Sequence, residues 1–234
     1  MLKAESLKKA FGASLAVDNV SFSVKQGEVL GFLGPNGAGK STTMRMMTGF
    51  IAPTSGHAFV NGLDVSLHPV EARRQFGYLP ENAPLYQEMT VVDFLDFCAE
   101  MHGLTMAERR MSVEKALELC QLQDVRRQVI GTLSKGYSHR TCFAQALVHN
   151  PSALLLDEPT DGLDPNQKFE MRRMIREMGR DKAILISTHL LDEVEDVCTR
   201  VIVINRGKLV LDKPIADVKG QLFELFRKLT ANPA

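Results

Sequence analysis

Val29-Leu30-Gly31-Phe32-Leu33-Gly34-Pro35-Asn36-Gly37-Ala38-Gly39-Lys40-Ser41-Thr42 is the stretch that decides the fold. Its first five residues are an unbroken apolar run, as in a strand covered on both faces. The next eight match GxxxxGK[ST] at every fixed position. Ser41 to Thr48 then has helix-like composition and stops at Gly49. Strand, glycine loop and helix in this order form a phosphate cradle: the glycines let the backbone turn successive N–H groups toward one anion. The helix start adds its partial positive charge. Gly34, Pro35, Asn36, Gly37, Ala38, Gly39, Lys40, Ser41 and the following Thr42 are therefore candidate nucleotide-binding residues. Lys40 suits the β- and γ-phosphates and the Ser41 hydroxyl suits Mg²⁺.

A second apolar run, Leu154-Leu155-Leu156, ends in Asp157-Glu158. Two acids at a buried strand end are costly unless cations or donors lie nearby. The carboxyl ends of parallel strands are also where open α/β sheets build their sites. Asp157 is placed to serve Mg²⁺ through water, and Glu158 to polarise an attacking water. A third run, Ile184-Leu185-Ile186-Ser187-Thr188, is followed by His189. With Asn166 to Arg180 between the last two runs as a helix, the spacing predicts a βαβ unit and a parallel sheet.

Outward from these runs, the first 33 residues are β-rich, and Asn61-Gly62 between Ala58-Phe59-Val60 and Leu63-Asp64-Val65 predicts a hairpin. Between the two chemical motifs the pattern turns helical. Thr90 predicts a helix cap and Gly103 a helix end. Thr105 with Glu108 predicts a capping box. Val113, Ala116, Leu117 and Cys120 then share one face. The expected organisation is one domain over residues 1–234: an α/β core of 1–81 and 148–234, carrying an inserted helical subdomain of 82–147. Leu222, Leu225, Phe226 and Leu229 fit one face of a last helix, which ends in Thr230-Ala231-Asn232-Pro233-Ala234.

Together these motifs resemble the nucleotide-binding subunit of an ABC (ATP-binding cassette) transporter over nearly the whole chain. Gly34 to Ser41 and Asp157-Glu158 are similar to the Walker A and Walker B motifs. Leu133-Ser134-Lys135-Gly136-Tyr137 resembles the signature usually written LSGGQ, with Lys135 and Tyr137 in place of Gly and Gln. Gly162-Leu163-Asp164 is similar to the D-loop and His189 to the switch histidine. Phe11 resembles the aromatic residue that stacks on adenine. Glu81, in Tyr78-Leu79-Pro80-Glu81, stands where many relatives have a Gln that approaches Mg²⁺ and the membrane partner. The resemblance implies a P-loop NTPase core with a mostly parallel sheet, an N-terminal antiparallel β region and an inserted helical subdomain.

It also implies ATP hydrolysis with Glu158, His189 and Lys40 as catalytic residues. Phe11, residues 34–42, Ser134, Gly136 and Asp164 would hold ATP, and Ser41, Asp157 and Glu81 would serve Mg²⁺. Two copies, or this chain and a second ATP-binding subunit, would pair head to tail around two ATP. A separate integral membrane permease would dock on the pair at the cytoplasmic face of the inner membrane. LSKGY with YLPE resembles a prokaryotic exporter subgroup, while an importer is compatible with the same motifs. A groove for a short permease helix is expected beside Phe94, Phe97 and Met101, with Leu85 and Tyr86.

Charge and length bear on the alternatives. The 28 basic and 28 acidic side chains cancel, which disfavours a nucleic-acid partner. The 115 residues between Ser41 and Asp157 leave no room for the long coiled coil of DNA-repair relatives. Cys98, Cys120, Cys142 and Cys198 have no metal-ligand spacing and read as buried thiols in a reducing compartment. No stretch is apolar for the length of a membrane span, and the N-terminal residues lack the apolar run of a signal peptide.

Overall fold

The computed structural model describes residues 1–82 and 84–231; Ala83 and the terminal Asn232-Pro233-Ala234 lie outside the described residues. The chain opens with an antiparallel hairpin, β1 (Leu2–Phe11) and β2 (Ser14–Val24), followed by β3 (Val29–Leu33) and helix α1 (Lys40–Met47). A second hairpin, β4 (Ser55–Val60) and β5 (Leu63–Asp64), leads through α2 (Pro69–Arg73) to β6 (Phe76–Leu79). The helices α3 (Val91–Met101), α4 (Met106–Leu119) and α5 (Lys135–Leu147) come next, with short 3₁₀ turns at Gln123–Val125 and Ile130–Thr132. After them come β7 (Ala153–Asp157), α6 (Pro165–Met178), β8 (Ala183–Thr188), α7 (Leu191–Val197) and β9 (Arg200–Asn205). Strand β10 (Lys208–Pro214) and helices α8 (Ile215–Val218) and α9 (Leu222–Thr230) complete the chain.

These strands make two sheets. One is antiparallel, in the order β2-β1-β4-β5; the other has six strands in the order β10-β9-β3-β8-β7-β6. In the second, β9, β3, β8, β7 and β6 run parallel and only β10 pairs antiparallel. The apolar runs are unbroken because both faces of this sheet are covered. Leu154, Leu156, Ile184 and Ile186 pack with the helices, whereas Leu155, Leu185, Phe32 and the α1 methionines pack against the antiparallel sheet. At full burial each such side chain contributes about 1.5–3 kcal/mol.

Local signals decide the ends of several elements. Asn61 and Gly62 both take left-handed backbone (φ 50° and 82°), the tight hairpin turn that pair favours. The Thr90 hydroxyl accepts from the Asp93 N–H at the start of α3, and Thr105 with Glu108 closes a full capping box at α4. Val113, Ala116, Leu117 and Cys120 are buried as expected. Helix α5 crosses β6 so closely that a Cβ on Gly77 would run into the Ala146 carbonyl oxygen. Two strands β3 and β7 bracket β8, so the ends of all three, with Gly34, Glu158 and His189 just beyond them, converge on one edge.

Candidate functional site

The phosphate loop leaves β3 at Leu33 and enters α1 at Lys40. Gly39 takes φ 110°, and a Cβ there would sit 2.6 Å from the Ala16 carbonyl oxygen, so only glycine lets β2 close over the loop. Ala38 is buried behind the loop, its N–H donating to Pro35 O at 3.2 Å and its carbonyl accepting from Gly207 N–H at 2.9 Å. The Lys40 ammonium donates to the Gly34 carbonyl at 2.7 Å and the Pro35 carbonyl at 3.3 Å. It lies 3.7 Å from Glu158 Oε1. Burial pushes the lysine below its ordinary range, and the Glu158, Asp157 and Glu81 carboxylates push it back toward the charged form.

Asp157 and Glu158 meet different partners, and Glu158 sits in left-handed backbone (φ 51°), unusual for a non-glycine residue. Asp157 accepts a short hydrogen bond from the Ser187 hydroxyl, and the Ser41 hydroxyl is 3.5 Å from the same Oδ1. Glu158 Oε2 is 2.9 Å from His189 Nδ1. One carboxylate thus meets the loop serine, while the other bridges the loop lysine and the histidine.

Asn36, Gly37, Gly39, Lys40, Ser41, Thr42, Glu81, Glu158 and His189 line one cleft of about 520 Å³. Ala16 and Asp161 line it too, and sequence reading missed both. Asp161 follows Glu158 by one turn, its N–H donating to the Glu158 carbonyl at 3.1 Å; its position three residues after the acid pair was the available signal.

Four expected nucleotide contacts lie elsewhere. Phe11 is half-exposed near the tip of the first hairpin, with Lys9 Nζ 5.2 Å from its ring centroid, and does not line the cleft. Ser134 caps α5 by accepting from Tyr137 N–H, and Gly136 packs against the Gln167 side chain. Asp164 caps α6, accepting from Asn166 and Gln167 N–H. The signature segment and the D-loop residue are therefore packed together, away from their own phosphate loop.

A second cleft, of about 600 Å³, opens on the other side of Glu81. Phe50, Arg45, Arg73, His102, His149 and Asp157 line it, and Glu81 reaches both clefts. The expected groove changes at one residue. Phe94 belongs to the core at 3% exposure, and only Phe97, Met101 and Tyr86 are exposed, with the Phe97 and Tyr86 rings edge-on at 5.7 Å.

A glycine loop at a helix start, a buried lysine and an acid pair at the end of β7, one strand removed from β3, define a P-loop ATPase. The family profile described as ABC transporter matches residues 17–161. The chain is 39% identical over 224 residues to the uncharacterized ABC transporter ATP-binding protein YxlF of Bacillus subtilis (strain 168), covering 94% of this chain and 73% of that protein. It is 37% identical over 221 residues to the bacitracin transport ATP-binding protein BcrA of Bacillus licheniformis, covering 94% of this chain and 71% of that one. A solved structure titled as the ATP binding subunit of an ABC transporter superimposes with a TM-score of 0.89 at 30% identity, covering 98% of this chain and 99% of the other. The chain belongs to the ABC transporter ATP-binding family, as an ATP-binding and ATP-hydrolysing component that energises transport. No helix among the described residues is long and apolar enough to cross a membrane.

Proposed function

We propose that this chain hydrolyses ATP at the Lys40–Glu158–His189 cleft in a pair of subunits and passes the resulting motion to a membrane permease that exports its cargo. The carrying observation is that the signature segment is fully built yet lies outside its own chain's cleft. A second copy, turned head to tail, would supply it. Ser134 and Gly136 at the start of α5, with Asp164, would then face the partner's nucleotide, where the helix start suits the γ-phosphate. Within one cleft the loop N–H groups and Lys40 hold the phosphates. Glu158 takes the proton of the attacking water, and His189, bonded to Glu158, orients it. Phe11 would stack on the base from the hairpin tip. Residues 82–147 form the helical unit that presents the signature, and the remainder forms the α/β core.

The site fits Mg²⁺. Ser41 and Asp157 offer oxygen ligands 3.5 Å apart, with Glu81 lining the same cleft as Ser41. A sparse oxygen set suits a small, hard cation that keeps its water and phosphate ligands. When bound, the ion neutralises charge developing on the phosphates.

The second cleft suits the permease. It is mostly apolar, it is flanked by Arg45 and Arg73, which have no ion-pair partner among the described residues, and it shares Glu81 with the ATP cleft. A segment docked there would sense the nucleotide through Glu81 and would hold the subunit at the cytoplasmic face of the membrane. Export is supported by the similarity to BcrA, which is named for bacitracin transport.

Mixing two disabled variants tests the shared site. Lys40→Ala and Ser134→Arg should each be inactive alone. Mixed, they should recover turnover, because one site of the heterodimer combines an intact phosphate loop with an intact signature. A mixture as inactive as its parts would overturn the proposal.

A further inference from the structure

Glu193 lies on α7, four residues after His189, and is completely buried. Sequence reading attached no role to it. Neither carboxyl oxygen has a hydrogen-bond partner of normal geometry, and the buried Thr160 hydroxyl has none either. The hydroxyls of Thr188 and Thr160 face the carboxyl. Thr188 Oγ1 accepts from the Leu190 N–H at 3.1 Å, which leaves its own proton free to donate. These two threonines sit at telling places: Thr160 is two residues beyond Glu158, and Thr188 directly precedes His189.

Charges of both signs face Glu193. Arg172 approaches from α6; its terminal nitrogens bind Asp192 at 2.7 Å and lie 3.8 Å from Asp196, while its buried Nε has no partner. Glu158 adds a like charge from the end of β7, and the Cys198 thiol contributes none. Burial pushes the carboxyl's pKa up, and Glu158 adds to the shift. A carboxyl group has two oxygens, enough to engage both threonine hydroxyls at once.

We infer that Glu193 is a positioning residue for ATP hydrolysis: its buried carboxyl ties the Thr160 turn, which follows Glu158, to the Thr188 strand end, which carries His189. The two side chains that must meet at 2.9 Å come from different strands. The link behind them keeps the turn and the strand end in register. Glu158 sits in strained left-handed backbone, and strain of this kind persists only where neighbouring structure holds it.

The inference rests on Glu158 and His189 being the hydrolytic pair, so the test separates the two. Steady-state turnover and equilibrium ATP binding would be measured for Glu193→Ala, Glu193→Gln and Thr160→Val. Glu193→Ala should lose about tenfold or more in kcat, the scale of a small misplacement of reacting groups, with ATP affinity unchanged within about twofold. Glu193→Gln, uncharged and of the same shape, should restore most of that loss. Thr160→Val should share it, and the double variant Glu193→Ala/Thr160→Val should be no worse than either alone. Wild-type turnover in Glu193→Ala, or a Gln variant as slow as the Ala variant, would overturn the inference. Should Glu193→Ala fail to fold, wild-type turnover in Thr160→Val would overturn it equally. If the hydrolytic assignment itself is wrong, Glu158→Gln hydrolyses ATP at the wild-type rate whatever the Glu193 variants do.

Discussion

Replacing Glu158 by Gln should move binding and chemistry in opposite directions. Glu158 stands between Lys40 Nζ at 3.7 Å and His189 Nδ1 at 2.9 Å. The Lys40 and Glu158 side chains are only 6% and 10% exposed, so their attraction is poorly screened. At an effective dielectric of about 20 a pair at this separation is worth about 4 kcal/mol before desolvation. ATP must draw the Lys40 ammonium away from this partner, and its γ-phosphate must then sit beside the carboxylate's negative charge. Gln keeps the shape and the contact to His189 but removes both opposing terms. Desolvation and relaxation consume most of the gross figure; a net gain of about 1–2 kcal/mol corresponds to roughly tenfold tighter ATP binding. The water loses its base, so turnover should fall at least about 100-fold. Titration with a fluorescent ATP analogue reads the first quantity and phosphate release the second. Lys40→Ala is the matching control: ATP affinity should drop about 10–100-fold. Tenfold weaker ATP binding in Glu158→Gln would show that the carboxylate supports Lys40 rather than competing with the phosphate. Turnover within about threefold of wild type would show that Glu158 is not the base.

Two further outcomes probe the scaffold. Gly77→Ala places a methyl group against the Ala146 carbonyl, with the Leu154 side chain 2.9 Å away; it should cost about 1–3 kcal/mol in denaturant unfolding, and unchanged stability would contradict the close crossing of α5 over β6. Burial holds the His149 pKa down at about 4, with its ring stacked on His102 at 3.6 Å and bonded to the Phe76 carbonyl at 3.0 Å. A histidine that resists protonation in the folded state costs no stability above its unfolded pKa of about 6.5, and the protein loses stability as pH falls from there toward about 4. The loss is on the order of 2 kcal/mol after discounting for partial exposure, and His149→Phe should flatten that slope in unfolding curves taken across this range.

Much of the molecule is legible in the chain itself, wherever a residue's role follows from neighbours close in sequence. The phosphate loop is one case, since the glycines, Lys40 and Ser41 act within eight residues on a single anion. Asn61-Gly62, Thr90 and the Thr105–Glu108 box are others, because turns and caps are local hydrogen-bond arrangements. Apolar runs ending in Asp157-Glu158 and His189 likewise announce buried parallel strands whose ends carry chemistry.

Tertiary structure alone decided what depends on residues far apart in sequence. Strand order brought Glu158 and His189 within hydrogen-bond reach, although 31 positions separate them. Packing sent Phe94 into the core and left Phe97 exposed, where one helical stripe had suggested one shared face. It also formed the cleft between Phe50, Arg73 and His149, whose walls come from five separate stretches of chain. Glu193 marks the limit most clearly. In the sequence it is one acid among several in Asp192-Glu193-Val194-Glu195-Asp196, with nothing to distinguish it from a solvated neighbour. Burial against Thr160 and Thr188 singles it out, and burial is a property of how strands and helices close on one another.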